Sequence, residues 1–174
     1  MNVFVLDLDI ATCARYHADR HVVKMILESA QMLCTVLNEH GVVAPYRSTH
    51  TRHPCTLWAG ASLSNWLWLR ELALSLNEEY KYRFARSVDH SSATVVMNLP
   101  RPPIEDKGLT AFAQAMPVVY RVPGNAVQAY RSFYIAEKAR FATWTGRDIP
   151  EWFAQGLQRR MSTHHETATD QHLA

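Results

Sequence analysis

The sequence predicts a mainly α protein: a compact single-domain helical bundle entered by a short N-terminal strand or extended segment. Three observations carry this. Apolar residues recur at helical spacing through most of the chain, and strand-like alternation is confined to MNVFVLD at the start. Helix punctuation falls at the ends of these runs, with Asp9, Pro54, Asn125 and Pro150 at starts and His40-Gly41 at a stop. A length of 174 residues and a hydrophobic content of 48% suit one domain with a sizeable core.

Taken in order, Asp9, or alternatively Asp7, caps a helix over about residues 10–18, and the opening helix then runs to about Glu39. Residues 41–53 lack a period and read as loop. Pro54 suits a first helical position. The segment from Pro54 to Phe84 is helical, with a break near Gly60 or Ser62 and an apolar face of Leu63, Trp66, Leu67, Leu69, Leu72, Leu76 and Tyr80. Residues 87–108 read as irregular, because Pro100, Pro102 and Pro103 preclude regular structure. Asn125 caps a helix to about Trp144, and Pro150 begins the last one. The domain then spans 1–161, and the polar residues 162–174 form a frayed, disordered tail. No internal repeat is visible.

Bulk properties narrow the function classes. A net charge of +2 permits a nucleic-acid partner but excludes a dedicated DNA coat. Nine histidines allow the charge to rise below about pH 6.5. Cys13, Cys34 and Cys55 are odd in number and fit neither a zinc finger nor a disulfide framework, so a reducing cytoplasm is the expected setting. The N-terminus lacks a basic signal-peptide region. No apolar run of membrane-spanning length exists, so no membrane partner is expected.

One stretch carries chemistry. In RHVVKMILESAQML, His21, Lys24, Glu28 and Gln31 step by three, four and three. At 100° per residue they occupy an arc of about 80°. Most of the remaining circumference is apolar, the reverse of an ordinary surface helix. Buried charges need partners or a wet cleft, so the stripe reads as a pocket wall or as a buried polar tie to a neighbouring helix. Three further groups stand out. His50, Arg52 and His53 precede Trp58 at a helix start, a setting that suits a phosphate; solvated loop residues ahead of a core Trp58 read equally well. Glu79 and Arg83 form an i, i+4 pair, expected to be solvated. Arg131 and Lys138 share a helix side with Tyr130, Tyr134 and Phe141, a mix that suits a nucleic-acid strand or an ordinary packing face. His17, His21, His50 and His53 number enough for a zinc ion, but no HExxH or cysteine pair sharpens that reading, and neither metal nor cofactor is expected.

Asp19-Arg20, the K-x3-E-x2-Q spacing of Lys24, Glu28 and Gln31, His53-Pro54, Trp58, and Glu79-Tyr80 with Arg83 together resemble the pyrimidine-dimer DNA glycosylase family, whose small members are related to phage endonuclease V. The resemblance covers roughly residues 1–85. Ala129–Lys138 and Thr143–Phe153 are similar to stretches of phage proteins of unassigned function. The family likeness implies a helical enzyme that kinks DNA and cleaves a glycosidic bond through an imine on the N-terminal amine, aided by a Glu. Asn2 is larger than the residues that permit removal of Met1, which leaves the amine on Met1. Lys24 is the alternative imine-forming amine.

The expected function is therefore that of an enzyme acting on a nucleobase or nucleotide, foremost a DNA glycosylase or abasic-site lyase. His21 serves as general acid/base or phosphate ligand, Lys24 as nucleophile or phosphate ligand, and Glu28 as base or orienting group. Gln31, His50, Arg52, His53, Trp58, Arg83, Arg131 and Lys138 bind substrate. The alternatives are an enzyme that modifies a free nucleotide, and a phage-type protein that sequesters one without turnover. A purely structural module has no need to bury Lys24 and Glu28.

Overall fold

Seven helices and no strand make up the described residues of the computed structural model, which covers residues 1–170 with side chains to Ser162. They are α1 (Ile10–Tyr16), α2 (Asp19–Glu39), α3 (Pro54–Gly60), α4 (Leu63–Arg83), α5 (Ser91–Met97), α6 (Ala126–Glu137) and α7 (Glu151–Asp170), with 3₁₀ turns at Val118–Tyr120 and Ala139–Phe141. The mainly α class read from the sequence holds. The expected tail falls partly on α7, which continues to Asp170, and partly on residues 171–174, which lie outside those described.

Helix α2 is the spine: it packs along α4 and touches α3 and α5, α1 lies on α4, and α6 pairs with α7. Val22, Ile26, Leu33 and Leu37 on α2 and Trp66, Leu69 and Leu76 on α4 are fully enclosed. Each such aliphatic side chain contributes about 1.5–3 kcal/mol by leaving water. Trp66 also donates its indole N–H to the Leu33 carbonyl, so the two long helices are joined by a polar link as well as by packing.

Local chemistry sets most boundaries. The Asp9 carboxylate accepts the Thr12 N–H and starts α1. Pro54 takes the first position of α3, and the His53 ring caps it by accepting the Cys55 N–H. The break read near Gly60 and Ser62 falls between α3 and α4. Helix α4 is capped from a distance, because Asp106 accepts from the Ser64 N–H and from the Ser62 and Ser64 hydroxyls.

Two expectations are corrected, for residues 87–108 and for the end of α6, whereas the opening segment is extended, one of the two forms read for it, and pairs with no strand among the described residues. Its backbone is satisfied by side chains instead: Glu28 accepts the Asn2 N–H, Cys13 contacts the Leu6 N–H, and Arg131 donates to the Leu6 carbonyl. Within 87–108 a helix, α5, forms where Ser91–Met97 follows the cap supplied by His90. Helix α6 ends at Glu137, short of Trp144, because the chain tightens into the 3₁₀ turn at Ala139–Phe141 and then extends at Ala142.

Candidate active site

The N-terminal segment reaches the core beside α2. Val5 and Leu6 are fully buried. Phe4 stacks on the His21 ring at 4.5 Å and meets Tyr134 edge-on. The Met1 side chain is only 2% exposed, and its sulfur lies 3.8 Å from the Thr56 hydroxyl. This anchoring holds the Met1 amine 3.7 Å from Glu28 Oε2. Glu28 is buried, accepts the Asn2 N–H at 2.9 Å and faces the Lys24 ammonium at 3.2 Å. Two amines therefore flank one carboxylate, but only one is anchored, since the Lys24 side chain is 63% exposed.

A cleft of about 170 Å³ opens over this group, lined by Met1, Asn2, Phe4, His21, Lys24, Met25, Glu28, Phe133 and Lys138. Two lysines, Lys24 and Lys138, are among its lining residues, and the Lys138 ammonium sits 4.6 Å from the Phe133 ring centre. Beyond them Arg20 and Arg140 lie against Phe141 at 5.2 and 6.0 Å, and Phe141 in turn meets the His21 ring. Burial, and then the nearby charges of Arg140 and Lys24, lower the Lys138 pKa against the pull of Glu137. His53 is lowered by partial burial first, then by the N-terminal ammonium and His50, with Glu28 opposing. His53 thus shares the electrostatic field of the cleft.

His21 is the most constrained group here. Its Nδ1 lies 2.5 Å from the Tyr134 hydroxyl, which also accepts the Ala18 N–H at 3.0 Å. Burial, followed by the charges of His17, Lys138 and Lys24, pushes its pKa down to about 3.

The predicted stripe is brought together only in part. His21, Lys24 and Glu28 share the cleft, whereas Gln31 opens on a shallow hollow beside Tyr46 and Arg47. Val23 and Leu27, part of the apolar remainder of the circumference, reach solvent. The polar line thus runs along the edge between core and water, with His21 and Glu28 turned in and Lys24 turned out.

Several expected substrate contacts are placed elsewhere. Trp58 is buried in an aromatic cluster with Trp68 and Phe112. Arg83 is not solvated. Its side chain is fully enclosed and joins Glu79, Asp19 and the carbonyls of His17 and Arg15. Arg131 ties the Leu6 carbonyl and Asp7 to α6 and lies over the Tyr16 and Trp152 rings. It therefore does not share a face with Lys138 at the cleft. The Nδ1 of His53 is taken up by capping, that of His50 contacts Thr49, and Arg52 is exposed in the loop. Of the four histidines weighed as zinc ligands, His17 is sealed in the core against the Cys13 carbonyl. Among the described residues no group of three or more His, Cys, Asp or Glu is placed to hold a metal.

Sequence reasoning missed Asp19 as a hub. Its carboxylate accepts from Thr143, Thr145 and Arg83, joining the start of α2 to the end of α4 and to the segment before α7. It also missed Tyr134 as the partner of His21. No local signal marks either, because the partners lie 64 to 126 positions away.

A larger hollow of about 580 Å³ lies toward the other end of α6. Its polar side chains are engaged: Arg131 with Asp7, Gln114 with Val122, and Asn125 as the α6 cap. It offers no reactive group comparable to the Glu28 cleft. No helix among the described residues is long and apolar enough to cross a membrane. No family model, curated protein or solved structure matches this chain.

Proposed function

We propose that the protein is an imine-forming enzyme that acts at C1′ of a deoxyribose in DNA, as an abasic-site lyase on the ring-opened aldehyde or as a glycosylase that first displaces the base. One observation carries this reading: an anchored amine, that of Met1, lies 3.7 Å from a buried carboxylate, that of Glu28, in a cleft rimmed by basic side chains. The Met1 amine is held in place by its buried side chain, whereas the Lys24 side chain extends into solvent, so the anchored amine is the better-positioned nucleophile. The likeness to the pyrimidine-dimer glycosylase family adds support. So does size. A cleft of about 170 Å³ is below the roughly 300–1,000 Å³ that encloses a whole small ligand, and it suits a sugar carbon offered by a larger partner outside.

The lyase reaction balances with these groups, and a water that hydrolyses the final imine returns the amine. The amine lone pair adds to C1′ of the ring-opened sugar, the carbonyl electron pair moves onto oxygen, and loss of water gives the imine. Glu28 then takes a proton from C2′. The C2′–C3′ double bond forms as the C3′–O bond breaks and the 3′ phosphate leaves. Lys24 and Lys138 at the rim face the phosphates of the strand.

The test is borohydride trapping on abasic-site DNA, using protein prepared with Met1 as its first residue. The expected result is an adduct that survives Lys24→Ala and disappears when the α-amine is acetylated. Glu28→Gln should bind DNA but fail to cleave it. An adduct lost in Lys24→Ala and kept after acetylation moves the nucleophile to Lys24. The absence of both an adduct and salt-sensitive DNA binding overturns the reading.

A further inference from the structure

We infer that Tyr134 locks the His21 imidazole as a neutral hydrogen-bond donor whose Nε2–H serves the substrate oxygen in the Glu28 cleft. The inference rests on the amine reading above and assigns His21 a role different from the acid/base or phosphate-binding one expected from sequence.

The tautomer is fixed by valence. The Tyr134 hydroxyl accepts the Ala18 N–H at 3.0 Å. Among the described residues its own single proton has one acceptor within reach, the Nδ1 of His21 at 2.5 Å. Burial raises the Tyr134 hydroxyl pKa far above its ordinary range, so the hydroxyl keeps that proton to donate. With Nδ1 accepting, a neutral ring must carry its proton on Nε2.

The ring is also fixed in place. Phe4 stacks on one face at 4.5 Å and 18°, and Phe141 meets it edge-on at 5.4 Å. Nε2 makes no hydrogen bond to the described residues, yet it is not among their sealed, unpartnered atoms. Nε2 therefore keeps some exposure, and the ring that carries it lines the cleft.

The charges around the ring favour the neutral form. His17, Lys24 and Lys138 all oppose a positive imidazole, and burial opposes it more. Glu28, the acidic group on the same cleft, is turned to Met1, Asn2 and Lys24. A general acid/base works best with a pKa near the working pH, and this site is built against that. A fixed N–H donor instead stabilises the oxygen that gains charge when the amine adds to the aldehyde. Tyr134 is then a positioning residue that acts through His21.

Two measurements test this. Nitrogen-15 NMR of the histidine rings should show His21 as the Nε2–H tautomer, unchanged from pH 8 to 5, and as a mixture of tautomers in Tyr134→Phe. Borohydride trapping of abasic-site DNA should slow about 100-fold in His21→Phe, which keeps an aromatic ring against Phe4 but lacks the donor. His21→Gln, which keeps a neutral N–H, should recover most of the rate. The ratio of wild-type to His21→Phe rate should stay constant between pH 5 and 8. An Nδ1–H tautomer, or a ring that titrates in that range, overturns the assignment even if His21→Phe fails to fold. Equal trapping rates in wild type and His21→Phe overturn the catalytic role. Wild-type protein that traps no aldehyde while its His21 shifts are as expected overturns the amine reading and the role of His21 within it.

Discussion

The Asn2 backbone N–H donates to the Glu28 carboxylate at 2.9 Å, across 26 positions of chain. That bond pins the N-terminal segment to α2 and sets the amine beside its carboxylate. Glu28→Ala strands a buried N–H and a nearby ammonium, so it should cost about 1–3 kcal/mol of stability. Glu28→Gln retains an acceptor and should recover part of that loss. Urea unfolding of the two variants checks this, and an alanine variant as stable as wild type would remove Glu28 as the anchor.

Arg83 joins three parts of the chain through Asp19, Glu79 and two carbonyls, with its side chain wholly enclosed. Its removal leaves Asp19 and Glu79 with less compensation. Arg83→Met should therefore destabilise by about 3–5 kcal/mol. Arg83→Lys should rescue little, because an ammonium cannot reproduce the forked set of donors. Denaturant midpoints decide; rescue by lysine would mean that charge alone matters here.

Burial lowers the His17 pKa from 6.5 to about 4, with the Cys13 carbonyl opposing and the Arg83 charge adding to the fall, and His21 falls to about 3. In the unfolded chain both rings take up protons below about pH 6.5, whereas the folded protein resists until lower pH. Unfolding thus binds protons in this window, and stability falls as pH falls. Burial favours the protonated Asp19, but hydrogen bonds from Thr145, Thr143 and Arg83 outweigh it and lower its pKa, which adds a loss of the same sign at still lower pH. The stability carried by the two histidines should be complete above pH 6.5 and decline by several kcal/mol toward pH 4. Urea midpoints at pH 7, 5.5 and 4.5 read this directly, and a flat profile would show that the rings are not sealed.

Lys138 stands at the cleft rim, next in the field to Lys24 and Arg140. If DNA lies across this rim, Lys138→Ala should weaken binding to all sequences alike and reduce the slope of log affinity against log salt by about one. Arg131→Ala should leave that slope unchanged, since Arg131 is occupied by Asp7 and the Leu6 carbonyl. Fluorescence anisotropy over a salt series separates the two, and an unchanged slope in Lys138→Ala would move the contact surface elsewhere.

Much of the helical scheme was legible because its signals are local. The Asp9 and Asn125 caps, Pro54 at a first helical turn and the break before α4 are each set by residues within a few positions of one another. Helix α5 was not legible because its cap is a histidine ring rather than a commoner capping side chain. Nor was the early end of α6, because Lys138 and Ala139 carry no stop signal; past them the chain brings Phe141 against Arg20 and His21, partners far away in sequence.

The sequence by itself determined the α class, the spine helix and the line of His21, Lys24 and Glu28 along it, since periodicity and capping act over a single turn. It left open which of these groups face water. Tertiary structure decided that by bringing the N-terminal segment and α6 against α2. Phe4 and Tyr134 cover His21, while Met1 and Asn2 meet Glu28. Asp19 and Arg83 likewise became an internal tie only through partners far along the chain. Burial and hydrogen bonding depend on such distant neighbours, and no spacing within one helix encodes them.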